Sequence, residues 1–361
     1  MTDEKHKRTT DELQSLIQSV RDGTFHYEGR QKRSTDWARY DEAQVREISG
    51  TLSLIRRLVD IAARTVLQER QKAPGRPPCP PDDVAKALLL QSYFGVSNRM
   101  ASGLVELFAE KLGISKSFSY KTIERGYDPS DITKILDRVF ELTARLGNAN
   151  EDTFSFDGTG DRVSSKENYE AVRSDQRKEC DTPDWTGLPP RHAFQLAVIA
   201  SGVHTKMIAG FASTGDRSMG ELSMFSDVLY QTRINCPQMR TALGDALYST
   251  RNACMLVSQY GSRPYFMPRR NSTLKPAGVP SWKSMLFEFV DDPQSWLHVY
   301  HMRSISESIN SVDKRKFPWK LRKKLAWRRA AESFLRRQIY NIRQYHNLSY
   351  LQPSMIEKLP Q

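Results

Sequence analysis

The chain is poor in cysteine. It has four in 361 residues, Cys79, Cys180, Cys236 and Cys254, and no Cys-x-x-Cys. That scatter argues against a zinc finger or a disulfide framework and leaves buried or free thiols as the expectation. Long apolar runs are also missing; none approaches the roughly 20 residues of a membrane span. The opening Thr-Asp-Glu-Lys-His-Lys-Arg leads into no hydrophobic signal segment. There is no Gly-x4-Gly-Lys-Ser/Thr, so nothing points to a nucleotide triphosphate. With 39% hydrophobic residues, the expectation is a soluble cytoplasmic protein of two or three domains, with no membrane partner.

Acidic residues are scarce in one place. From Lys314 to Arg343 twelve Lys or Arg stand against one acid, Glu332, while the whole chain carries +12. Nearly all the excess charge therefore lies in thirty residues. Such a stripe is the electrostatic footprint of a phosphate backbone, or else a solvated basic helix. Interleaved Trp319, Trp327, Phe334, Tyr340 and Tyr345 favour nucleic acid, although some of them must pack on the core.

Proline and glycine are absent between Gln294 and Phe317, and Pro318 supplies a stop, so one helix is expected there. At about 100° per residue, Arg303, Glu307 and Lys314 fall about 60°, 20° and 40° from Tyr300. The four share one face; Met302, Ile305, Ile309 and Val312 fall opposite. An acid held among an Arg, a Lys and a Tyr suits a metal-assisted phosphate site, and a mixed-charge surface helix is the bland alternative.

The rest of the chain divides by texture. Residues 1–81 read as a helical region with a Pro-rich linker at 73–81, including a long amphipathic helix from Asp36 to Gln71 with Ile48, Leu52, Ile55, Leu58, Val59 and Ala62 on one side. Residues 82–150 read as a helical domain in which Asp82 caps the first helix. A short basic helix at 117–126 would place Tyr120, Lys121 and Arg125 for major-groove reading, and a plain helical bundle fits the same pattern. From Asp152 strands begin: Thr153–Gly158, then Phe194–Ala200 and Val203–Phe211 joined by a two-residue turn at Ser201-Gly202. A polar loop spans Asp161 to Arg191. A helix at Leu222–Thr232, a strand at Arg240–Leu247, a helix at Thr250–Tyr260 and a strand at Pro264–Met267 follow, then a loop-rich insert at Lys275–Trp296. This order implies an α/β mixed sheet with helices on its faces, after an all-α N-terminal region. Residues 349–361 read as a tail.

Two aspartates sit at strand-end positions. Asp157 closes Phe-Ser-Phe-Asp157-Gly-Thr159, where small neighbours leave room for a metal and a phosphate; an Asp-Gly turn is the alternative. Asp245 lies in Leu-Gly-Asp245-Ala-Leu-Tyr248-Ser249, where a turn or helix cap is the alternative. Asp245 comes 88 residues after Asp157, and Glu307 62 residues after Asp245.

Tyr300-x2-Arg303-x3-Glu307-x6-Lys314 resembles the signature around the catalytic glutamate of IS4-type DDE transposases of prokaryotic insertion sequences. Asp157-Gly-Thr159 and Asp245-Ala-Leu-Tyr248 resemble the contexts of that family's two aspartates, with Ser249 one place early and Thr250 in the usual place. The resemblance covers about Thr153 to Leu348. It implies an RNase H-like catalytic domain at 151–348 in which Asp157, Asp245 and Glu307 are catalytic and metal-ligating. The second gap is short for members with a large insertion before the glutamate, so only a small one, about 272–298, is expected, which puts DNA-hairpin handling in doubt.

Three carboxylates without His or Cys prefer a hard cation, so Mg2+ is expected, with Mn2+ as substitute. Two such ions would serve phosphodiester hydrolysis and then attack of the freed 3′-OH on target DNA. Tyr300, Arg303, Lys314, Arg315, Lys316, Lys320, Arg322, Lys323 and Lys324 are the expected DNA contacts. His298 and His301 are read as surface or phosphate-contacting, His192 and His204 as structural. The implied partners are double-stranded DNA, both terminal inverted repeats and target, and a second copy of the chain in the DNA complex, within the nucleoid. A transposase-derived nuclease and a non-catalytic DNA-binding protein remain as alternatives.

Overall fold

The computed structural model describes residues 9–27, 35–67, 79–163, 194–216, 218–274, 278–317 and 320–360. Most of the expected linker at 73–81 and of the loop at 161–191, together with His192, Cys180, Pro318 and Trp319, lies outside the described residues.

Helix α1 (Thr10–Arg21) begins with a capping box: Thr9 Oγ1 accepts from the Glu12 amide, and Glu12 accepts from the Thr9 amide at 2.8 Å. The long helix expected from Asp36 is two helices, α2 (Trp37–Val45) and α3 (Glu47–Val66), broken at Arg46. The break rotates Glu47 inward, where it meets Arg343, Lys316 at 3.5 Å and Tyr93. Ile48, expected on the buried side, is 53% exposed as a result, while Leu52, Ile55, Leu58, Val59 and Ala62 are buried as the periodicity required.

Helix α4 (Pro81–Phe94) starts with proline at its first turn, so Pro80 is the cap and Asp82 is not. Asp82 pairs instead with Lys86 at 3.8 Å, and Asp83 turns inward to accept from the Ser115 amide and hydroxyl. Gly95, left-handed at φ 61°, closes α4 and turns the chain into α5 (Asn98–Leu112), capped by Ser97. Helices α6 (Tyr120–Arg125) and α7 (Asp131–Gly147) follow.

The sheet has five strands in the order β3-β2-β1-β4-β5: β1 (Thr153–Arg162), β2 (Phe194–Gly202), β3 (Ile208–Thr214), β4 (Thr241–Gly244) and β5 (Arg263–Phe266). β1, β2 and β3 are antiparallel, and β4 and β5 run parallel to β1. The hairpin turn between β2 and β3 is longer than two residues. The pairing ends at Ser201 with Ile208, and the Gly202 amide donates to the Met207 carbonyl. Helix α8 (Glu221–Asn235) lies between β3 and β4, and α9 (Arg251–Gln259) between β4 and β5.

The segment expected to be a loop-rich insert holds two helices, α10 (Pro280–Asp291) and α11 (Pro293–Tyr300). Their apolar residues explain the difference: Trp282, Met285, Leu286, Phe289 and Trp296 are buried together with Leu13 and Ile17 of α1. A single turn of 3-10 helix at His301–Ser304 leads to α12 (Ile305–Lys316), and α13 (Ala326–Leu351) closes the fold.

The alternation of β1 and β2 separates two cores. Phe154, Phe156, Val198 and Ala200 face α8, α9 and α10. Ala197, Ile199 and Phe211 face the layer of α3, α4, α7 and α13. Phe154 and Phe156 are fully buried, each worth about 1.5–3 kcal/mol of burial. Among the described residues no helix is long and apolar enough to cross a membrane.

Candidate active site

Asp157 does not end its strand. β1 continues to Arg162, because Gly158, Thr159 and Gly160 keep pairing with β2. On the other edge the pairing with β4 stops at Phe156 and Gly244, so Asp157 and Asp245 follow side by side where the two parallel strands part. Asp245 also organises the turn that follows, accepting from the Leu247 amide at 2.8 Å. The turn reading and the site reading of this aspartate describe the same geometry.

The odd residues of β1 form a polar row on the face crossed by α12 and α13. Ser155 Oγ donates to the Arg303 carbonyl at 3.3 Å. Asp157 Oδ2 accepts from Asn310 Nδ2 at 2.9 Å. Asp161 holds Ser333 and Arg337, the latter at 2.7 Å.

The expected single helix from 294 to 317 is interrupted. The 3-10 turn breaks it after Tyr300, where the strand hydroxyl takes the Arg303 carbonyl. The four signature residues therefore have unequal surroundings. Tyr300 is buried, with its ring stacked on Trp296 at 5.3 Å. Arg303 is 22% and Glu307 61% exposed, and they pair at 3.1 Å. The guanidinium of Arg303 loses hydration, which lowers its pKa, but Tyr300, Glu307, Asp157 and Asp245 together outweigh that loss and raise it. Burial pushes the Asp157 carboxyl up to about 6. Arg303 opposes that rise, and the charges of Glu221, Asp245 and Glu307 add to it.

Asp157, Glu307, Asn310, Lys314 and Arg315 line one open cleft of about 450 Å³. Asp245 and Tyr300 are not on its lining. Among the described residues no three His, Cys, Asp or Glu side chains stand ready to hold one ion together; Glu307 is turned to Arg303. The acids around Asp157 (Glu221, Asp245 and Glu307) nevertheless offer only oxygen; burial is the main cause of the raised pKa, and their charges add to it, a repulsion that a hard cation would relieve.

The basic residues divide. Lys314 and Arg315 lie in the cleft. Lys316 is tied to Glu47, with burial lowering its pKa. Lys320, Arg322 and Lys324 are exposed, and Lys323 turns into a second cavity. Further on, Arg328 binds Asp128 and Glu124, Arg336 the Lys320 carbonyl, and Arg337 and Arg343 buried acids. Much of the stripe is therefore consumed inside the fold. Of its aromatics, Tyr340 and Tyr345 are buried and Phe334 packs against the core, while Trp327 stays 52% exposed. On α6, Lys121 and Arg125 are exposed, and Tyr120 is half-buried under Arg99 at 5.1 Å. His298 is exposed, and His301 stacks on Tyr27 at 4.5 Å. The His204 amide donates to Glu151.

Two residues of the site went unread in the sequence. Asn310 carries a usable signal, since it follows Glu307 by three residues on one helix face. Glu221 carries none, because it comes from α8. A Cβ on Gly158 would meet its carboxylate at 2.1–2.5 Å, so glycine there permits the approach.

Fold and site together define a mixed α/β protein with an open cleft on a mixed sheet, lined by the acids Asp157 and Glu307 and the bases Lys314 and Arg315. No family model matches the chain. It is 28% identical to a protein of Archaeoglobus fulgidus named as a probable transposase for insertion sequence element ISA1214, over 326 residues, 90% of this chain and 91% of that relative.

Proposed function

We propose that the protein is an insertion-sequence transposase of the IS4-type DDE class, with an RNase H-like catalytic sheet. The observation that carries this reading is the meeting of Asp157 and Asp245 on neighbouring parallel strands with Glu307 on the helix over them. The strand order, three antiparallel strands followed by two parallel ones, supports the RNase H-like assignment. The likeness to a named transposase along nine-tenths of the chain supports the activity.

Asp157, Asp245 and Glu307 would hold Mg2+ or Mn2+, which when bound would polarise the scissile phosphate and the attacking water or 3′-OH. The chain's own groups do the rest. Asn310 fixes one Asp157 oxygen. Lys314 and Arg315 lie where they can draw a phosphate backbone to the carboxylates. Arg303 pairs with Glu307 and offsets the charge of the carboxylates, and Glu307 would have to leave that pair to hold a cation. Tyr300 is held by Trp296 and carries the guanidinium on its ring face at 5.8 Å.

The same reading takes residues 151–348 as the catalytic domain with a small insertion at 272–298. It takes 82–150 as a DNA-binding unit led by Tyr120, Lys121 and Arg125, and 1–81 as a helical lead. Lys316, Lys320, Arg322 and Lys324 extend the DNA path, and two copies act together on the two element ends in the nucleoid.

The test uses purified protein, Mg2+ and DNA carrying the terminal inverted repeats. Wild type cleaves and joins the ends; Glu307→Gln binds them with unchanged affinity and does not cleave. Normal cleavage by Glu307→Gln would sink the assignment, and cleavage by wild type without joining would point to a nuclease.

A further inference from the structure

A second cavity, of about 510 Å³, lies where the turn between α4 and α5 meets the segment after α12. Lys323 points into it. Its ammonium donates to Asn98 Oδ1 at 2.6 Å and sits 3.8 Å from the centre of the Tyr127 ring. Among the described residues no carboxylate lies within ion-pair distance of it. The two acids that line the cavity are engaged elsewhere. Glu332 accepts from the Arg322 and Lys323 amides, and Glu124 pairs with Arg328. Burial pushes the Lys323 amine down to about 8, against the charges of Glu332 and Glu124 and with those of Arg328 and Arg322, as befits a cation held without a direct ion pair. Asn98 opens the 15-residue helix α5, whose N-terminal dipole adds positive potential. Arg322, Lys324, Arg328 and Arg336 add further positive charge to the lining.

We propose that this cavity is a phosphate-binding pocket in which Lys323, beside the N-terminus of α5 and Arg322, takes one backbone phosphate of a DNA strand. The source of the phosphate rests on the transposase reading; the affinity for phosphate does not. Phe317 lines the cavity, ten residues after Glu307, or about 15 Å along a helix. A duplex whose axis runs along α12 advances about 3.4 Å of axis per phosphate of one strand. The pocketed phosphate therefore lies about four or five nucleotides from the cleavage point.

Two variants test this in the full chain. Lys323→Met keeps the stem over Tyr127 and removes the charge. Asn98→Asp supplies an internal counter-ion at a helix start that favours acids, so the fold keeps or gains thermal stability while the pocket loses its attraction. Phosphate-ethylation interference on terminal-repeat DNA should show one sensitive phosphate at that distance in wild type. It should be lost in both variants while the other positions persist. The slope of log affinity against log salt should fall by about one in Lys323→Met. In a second arm, inorganic phosphate should raise the melting temperature of wild type above that in chloride of equal ionic strength, and fail to do so for Lys323→Met. If phosphate acts through Lys323 but the interference pattern does not change, the DNA source is overturned and the pocket takes a free phosphate. If neither arm responds, the pocket itself is overturned. If wild type binds no terminal-repeat DNA, the transposase reading fails, and the phosphate arm alone decides the pocket.

Discussion

Asp157 is the residue on which the site turns, and its protonation has a sign that can be measured. Its carboxyl is raised from an unfolded value of 3.8 to about 6 by burial and by Glu221, Asp245 and Glu307. Below pH 3.8 it is protonated in both states and has no effect. Between that pH and about 6 the unfolded chain ionises first, so stability falls, and above 6 the loss is constant at no more than about 3 kcal/mol. In metal-free protein at pH 8, Asp157→Asn should therefore melt above wild type, and the two should converge near pH 4. Mg2+ should close the gap at pH 8 by stabilising wild type alone. Thermal melts across this range with and without chelator decide it; equal melting of the two proteins at pH 8 would contradict the assigned burial.

Among elements, β1 has the widest reach, because its odd side chains fasten the sheet to α12 and α13. The Asp161–Arg337 pair is 5% and 2% exposed, with Ser333 as a third partner. Removing one partner strands a buried charge. Asp161→Ala should cost about 3–5 kcal/mol in denaturant unfolding, and Asp161→Ala with Arg337→Met should recover much of it. An additive double variant would show that the pair is not coupled. Elements also set what was legible in the sequence. Asp157, Asp245 and Glu307 could be read because each stands in a short local context, and the buried stripe of α3 because its periodicity is local. The break at Arg46 could not be read, since Glu47 is drawn in by Arg343 and Lys316 from the far end of the chain. The 3-10 turn at His301–Ser304 arises from a strand hydroxyl some 150 positions earlier, and the internal use of Arg328, Arg337 and Arg343 depends on partners just as remote. Apolar spacing in α10 and α11 was visible, but the polar residues around it hid the helices.

At the scale of the molecule, α13 lies between both layers. It packs on α2, α3, α4, α7 and the strands β2 and β3. Asn341 bonds the Ile208 amide and carbonyl, Gln344 the Thr205 carbonyl, and His346 the Ala43 carbonyl. A chain ending at Lys320 should show no cooperative thermal transition by circular dichroism, since its helical layer and sheet would lose their shared core; a sharp transition would mean that the two cores close independently. The position of α13 also bears on synthesis. Translation delivers α2, α3, β2 and β3 long before the helix that joins them, so these pieces wait with apolar faces uncovered. A working cleft would then arise only once α13 has been made, and a prematurely stopped message would yield material for chaperones and proteases instead of a partly active fragment.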